Sequence, residues 1–205
     1  MKRNSKIPFR PSSLNTGKSI TAELFSTFST PDDALANLSR FILKKGPSLS
    51  YLEYDEVAEN IWIHRSATLS SSVKIDAPAI ICRGASIGHC AHIRSTVVGS
   101  FASIGDNSQI TGSIILDKAR LNYSNVVCGS IVGNGAQLSS GVSVCEDKLS
   151  LPCANLKGGA IICDFARIGA NSVIGSGILI DEYSTVPPLS TVSHDVKAFS
   201  VFKGK

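Results

Sequence analysis

The sequence predicts an all-β chain wound as a parallel β-helix of six-residue repeats, preceded by a short α-helical segment. Three observations carry that prediction. Apolar residues return every six positions from Ile63 to Val186. The fifth position of the same unit is filled by small or β-branched residues with few exceptions. The 205 residues are 43% hydrophobic but only 6% aromatic, so Val, Ile, Leu and Ala must fill the core, which favours regular stacking over irregular packing.

The chain divides into an N-terminal tail and helix (1–60), a repeat region (61–196) and a C-terminal tail (197–205). Much of the net charge of +4 sits in the tails, on Lys2, Arg3, Lys6, Arg10 and Lys18 and on Lys197, Lys203 and Lys205. No aromatic residues interleave with these charges, so a nucleic-acid partner is not expected and solvated tails are. The opening MKRNSKIPFR lacks the apolar stretch of a secretory signal, and no run reaches the roughly 18 apolar residues of a membrane-spanning helix. Six cysteines without a CxxC pair read as reduced thiols in a cytoplasmic protein.

One helix is expected from Pro31 to Lys45. Thr30 can cap it, Pro31 suits the first turn, and Asp32 and Asp33 complement the N-terminal dipole. Leu35, Leu38, Phe41 and Ile42 form its apolar face, and Lys44, Lys45 and Gly46 close it. Repeat arrays need covered ends, so this helix is expected to cap the first rung.

The repeat begins with Ile63, Leu69, Ile75, Ile81, Ile87 and Ile93. After a one-residue slip it continues at Val98, Ile104 and Ile110. It returns at Val126, Val132, Leu138 and Val144, and again at Leu156, Ile162, Ile168, Ile174, Ile180 and Val186. Fifth positions include Ala67, Ala85, Ala91, Ala102, Ala136, Ala160 and Ala166, with Ile114, Lys148 and Ile178 as departures. Each unit supplies one short β face and one corner, with its branched residue inward and its small residue at the turn. Three units make a triangular rung, and stacked rungs bury one another's apolar faces. The 3.6-residue period of an amphipathic helix is absent. Two stretches break the pattern: 111–125, and 145–155, which reads as a loop of one rung's length or a degraded rung. Cys82 and Cys163 each follow an interior aliphatic and read as packing residues.

These repeats resemble the hexapeptide-repeat transferases. The likeness extends to the C-terminal acetyltransferase domain of bifunctional N-acetylglucosamine-1-phosphate uridylyltransferases and to their stand-alone pyrophosphorylase-related homologues. The matching text is AHIRS (91–95), SQITGSIILDKARLNYS (108–124), GNGAQLSSGV (133–142) and GGAIICDFARIGANSVIGSG (158–177). The resemblance implies a left-handed β-helix, a homotrimer with sites between subunits, and acetyl-CoA or another acyl-CoA as co-substrate. It implies a sugar phosphate or sugar nucleotide as the small-molecule partner. Residues 1–60 are too few for a uridylyltransferase domain, so that activity is not expected.

By the same resemblance Arg94 stands where the family holds the sugar phosphate, and Tyr123 where a tyrosine contacts the sugar. Arg120 stands in place of the family's catalytic histidine, Thr111 in place of its phosphate-binding lysine, and Gln137 in place of an asparagine. Arginine stays protonated and has no acceptor, so Arg120 can hold an anion but cannot take the proton from an attacking amine. His89 and His92, at outward positions in IGHCAHIR, are the candidate replacements for that base; their other reading is as ordinary surface histidines. A metal site is not expected, since zinc needs three or four convergent ligands. Two functions therefore stand. One is an acyltransferase acting on an amino sugar or sugar phosphate, with His89 or His92 as base and Arg94, Arg120 and Tyr123 binding substrate. The other is a non-catalytic trimeric scaffold or sugar-nucleotide-binding protein.

Overall fold

The computed structural model describes residues 14–17, 19–28, 30–144 and 159–203. Its main body is a left-handed parallel β-solenoid of about seven turns. The chain visits three faces in the same order in every rung. The first face carries inward Ile63, Ile81, Val98, Ile115, Val132, Ile162 and Ile180, paired in parallel and in register. The second carries Leu69, Ile87, Ile104, Leu121, Leu138, Ile168 and Val186. The third carries Ile75, Ile93, Ile110, Val127, Val144, Ile174 and Val192. From Ile81 to Val192 these inward side chains are at most 2% exposed and form one continuous core. Burying each contributes roughly 1.5–3 kcal/mol before the entropy of ordering the chain is counted.

The expected break at 111–125 is not a break. Ile110, Ile115, Leu121 and Val127 are consecutive inward residues of regular faces. Val127, not Val126, points inward, at 0% exposure. The corner from third to first face takes only five residues here, from Ile93 to Val98, Ile110 to Ile115 and Val127 to Val132. Hydroxyl groups make that short corner possible. Thr96, Ser113 and Ser130 are fully buried. Each donates to the carbonyl two residues back, at 2.7–2.8 Å. Each then accepts the N–H of the next rung, from Ser113 at 3.4 Å, Ser130 at 3.1 Å and Ala160 at 3.1 Å. Each hydroxyl thus satisfies one backbone donor of the following rung.

The same register settles the second interruption. Ile131 and Val132 pair directly with Ile161 and Ile162, and Val144 with Ile174. The stack therefore continues from Val144's rung to Ile162's with no rung between them; residues 145–158 and Leu156 among them lie outside the described residues. At the far end Ile180 pairs with Val196 and Thr185 with Val201, so the expected tail from 197 contributes part of a last rung. Phe202, 5% exposed, closes the core there.

The N-terminal segment differs from expectation in both form and place. It has three short helices, α1 (Ala22–Thr27), α2 (Pro31–Ala36) and α3 (Leu38–Lys45). Thr30 caps α2, its hydroxyl accepting the Asp33 N–H at 3.1 Å. The expected single helix is split at Asn37, whose side-chain amide and backbone N–H both donate to the Asp33 carbonyl, at 2.9 and 3.2 Å. These helices do not cap the first rung, where Ile63, Leu69 and Ile75 stay half-buried. They lie along the outside of the first face. Leu24, Phe25, Leu35, Leu38, Phe41 and Ile42 share a second buried cluster with Trp62, Ile80, Val97, Ile114 and Ile131, the outward row of that face. Cys82 and Cys163 belong to this cluster, which bears out their reading as packing residues. Gly46 is required beneath the indole, since a Cβ there would sit 2.3 Å from the Trp62 ring. Among the described residues no helix is long and apolar enough to cross a membrane.

The candidate site on the third face

With the first face covered by helices, the second face presents a polar outward row and the third a mixed one, polar in its first rungs and carrying Val126 and Val173 further on. The first strands in chain order are β1 (Tyr54–Ala58), β2 (Ile61–His64), β3 (Thr68–Leu69), β4 (Lys74–Ile81), β5 (Ser86–Ile87) and β6 (His92–Val98), of which the leading halves of β4 and β6 lie on the third face. The period-two alternation of β4 and β6 sends Ile75 and Ile93 inward. It leaves Lys74, Asp76, His92 and Arg94 outward. Lys74 lies beside His92 and Asp76 beside Arg94 in register, with Gln109 and Thr111 on the following rung.

This stacking joins His92 to a carboxylate. His92 Nε2 lies 2.6 Å from Asp76 Oδ2, and Lys74 Nζ lies 3.6 Å from Asp76 Oδ1. The hydrogen bond from His92, then the charges of His92 and Lys74, hold the Asp76 carboxyl below its usual range. A carboxylate on Nε2 fixes the neutral ring with its proton there, which leaves Nδ1 as the lone-pair nitrogen. Arg94 points out beside this pair, exposed, with no ion-pair partner among the described residues.

The other candidates sit elsewhere. His89 lies on the corner between second and third faces, its Nδ1 3.4 Å from Ser72 Oγ and its backbone N–H donating to Asp106 Oδ1 at 2.8 Å. Tyr123 occupies the same corner two rungs on and is 60% exposed. Arg120 projects from the second face between Ser103 and Gln137, with no imidazole or carboxylate in its row. One chain thus brings together His92 and Arg94 and leaves His89, Arg120 and Tyr123 apart from them. Asp76 escaped the sequence reading, although its signal was present: KID at 74–76 and HIR at 92–94 are 18 residues apart, one full rung.

Fold and repeat define the class: the chain is a hexapeptide-repeat protein of the left-handed β-helix type. More particularly, residues 57–158, just under half of the chain, match the family model of the GMPPB C-terminal domain. Solved structures with similar coils include UDP-N-acetylglucosamine acyltransferases from Campylobacter jejuni and from Francisella novicida. The first is 18% identical with a TM-score of 0.45, covering 70% of this chain and 71% of that one. The second is 15% identical with a TM-score of 0.45, covering 68% and 65%. The acetyltransferase domain of PglB from Neisseria gonorrhoeae is 16% identical with a TM-score of 0.34, covering 86% and 69%. A search of curated proteins returned no match.

Proposed function

We propose that this chain is an acyltransferase that moves an acyl group from a coenzyme A thioester to an amino sugar or sugar phosphate, with His92 as the base. The observation that supports it is the His92–Asp76 pair at 2.6 Å with Arg94 beside it on the same outward face. The acceptor nitrogen attacks the thioester carbonyl, His92 Nδ1 takes its proton, the C–S bond breaks, and the proton passes to the departing thiolate. Asp76 orients the ring and stabilises the imidazolium. Arg94 holds the acceptor's phosphate. His89 is a second candidate base at the edge of the same face. In a homotrimer a neighbouring copy would add its own Arg120, on the second face, and Tyr123, on the corner between second and third faces, as substrate-binding residues. We place the protein in the cytoplasm, consistent with Cys82, Cys90 and Cys163 standing as thiols outside any disulfide.

One observation favours a different reading. Arg120, at the position where a catalytic histidine is expected, has no base in its row, as suits a scaffold that binds a sugar nucleotide without chemistry. Thermal unfolding with acetyl-CoA, UDP-N-acetylglucosamine or glucosamine-1-phosphate separates the two, since a ligand of the folded state raises the midpoint in a concentration-dependent way. The transferase reading expects stabilisation by acetyl-CoA. Stabilisation by the sugar compounds alone, or by none of them, would leave the non-catalytic scaffold.

A further inference from the structure

We infer that the groove along the corner between first and second faces is a binding site for a phosphorylated sugar, distinct from the third-face site and independent of whether His92 is a base. Two adjoining hollows form it, about 510 Å³ and about 210 Å³, sharing Gly135, Phe165 and Tyr183. The larger is of a size that holds small ligands.

The floor is aromatic. Phe165 and Tyr183 stack with centroids 4.9 Å apart and planes 21° apart, and Phe199 continues the stack at 5.1 Å. Phe165 and Tyr183 remain 46% and 49% exposed. They stand at left-handed corner positions, with φ of 58° and 54°, which turn their side chains out along the corner. Gly135 keeps the hollow open, because a Cβ there would come within 2.8 Å of the Phe165 ring.

The larger hollow is lined by the carboxylates of Asp117, Asp164 and Glu182 together with one cation, Lys118, whereas the only charged residue lining the smaller one is Arg167. In the larger hollow Asp117 uses Oδ1 to accept the Ser100 N–H at 2.7 Å, which leaves Oδ2 for a ligand. Burial raises this carboxyl above its ordinary range, and a hydroxyl or ammonium donor would relieve that. Glu182 lines the same end. One wall is a strap near Asn15, held from 119 and 149 residues away: Asn134 Nδ2 donates to the Asn15 carbonyl at 2.9 Å, and the Asn15 N–H donates to Asp164 Oδ2 at 2.9 Å. In the smaller hollow Arg167 stands beside Gln137 in register, with no ion-pair partner among the described residues, and Arg120 is the next cation in that row. A guanidinium and an amide suit a phosphate, carboxylates suit hydroxyls or an amino group, and aromatic rings suit the C–H face of a pyranose. An amino-sugar phosphate satisfies both ends at once.

Isothermal titration with glucosamine-1-phosphate, glucose-1-phosphate, UDP-N-acetylglucosamine and inorganic phosphate tests this. Glucosamine-1-phosphate binding at this groove should persist in Arg94→Ala, whatever part of the total binding the third face contributes. Arg167→Ala should weaken it at least tenfold, and Asp117→Asn should weaken it more than it weakens glucose-1-phosphate. Equal binding of the UDP-linked sugar, with the same dependence on Arg167, would support the site and assign the nucleotide-linked source. Inorganic phosphate binding as tightly as the sugar phosphate, no binding at all, or binding indifferent to Arg167 would each overturn the inference. Sensitivity to Arg94 but not Arg167 would place the sugar phosphate on the third face instead. Arg167 is exposed, and unchanged circular dichroism would show that its variant still folds.

Discussion

Ile80→Ala tests whether the N-terminal helices truly form a second core with the first face. Ile80 points out of the coil yet is 0% exposed, because the helix cluster covers it. The substitution removes three carbons, worth about 0.8 kcal/mol each on transfer, or about 2.5 kcal/mol together. The cavity left among Trp62, Val97 and the helix side chains brings the expected loss to about 3 kcal/mol or more. Ser86→Ala is the matched control: it occupies the equivalent outward place on the second face, is exposed, and should change stability by less than about 0.5 kcal/mol. Urea unfolding followed by fluorescence of Trp62, the single tryptophan, reads the interface directly, since that indole is 5% exposed within the cluster. The midpoint should fall clearly for Ile80→Ala and hardly at all for Ser86→Ala. Indistinguishable midpoints would refute the helix-covered face.

Further expectations follow from local geometry. Gly135→Ala places a side chain at φ +62° and against the Phe165 ring, so it should destabilise by roughly 1–2 kcal/mol in thermal melts and shift the Phe165 and Tyr183 ring resonances. Thr30→Ala removes the cap of α2 and should cost about 0.5–2 kcal/mol by urea unfolding. Asp76 has a depressed folded-state pKa, so its contribution is present above the ordinary carboxylate range and is lost as pH falls through the folded value. The difference in melting temperature between wild type and Asp76→Asn should therefore persist at pH 7 and shrink toward zero in strong acid. A difference that grows on acidification would contradict the pairing.

The coil was legible because inward residues of three faces obey one period whatever lies outside them. Its exceptions were legible too, with a longer ruler. Ser95-Thr-Val-Val, Gly112-Ser-Ile-Ile and Gly129-Ser-Ile-Val recur at 17 residues, and each marks the short hydroxyl-stapled corner that a six-residue template reads as an interruption. The place of the helices was written in paired apolar residues: Trp62-Ile63, Ile80-Ile81, Val97-Val98, Ile114-Ile115 and Ile131-Val132. An outward residue that is aliphatic on one face, where the others carry Ser86 or His92, signals that something covers that face. The split at Asn37 was harder, because it depends on an amide choosing the Asp33 carbonyl over solvent. For the site, the His92–Asp76 pair needed the 18-residue stacking offset, while the distance of Arg120 from His92 follows only once residues are assigned to faces.

The most direct test of the proposed chemistry is release of coenzyme A from acetyl-CoA in the presence of glucosamine-1-phosphate, compared between wild type and His92→Ala. A positioned base contributes roughly 10²–10⁴-fold, so wild type should turn over and His92→Ala should fall by at least ~100-fold while still binding acetyl-CoA. Turnover that survives in His92→Ala, or a wild-type protein that binds acetyl-CoA without turning over, would contradict the assignment.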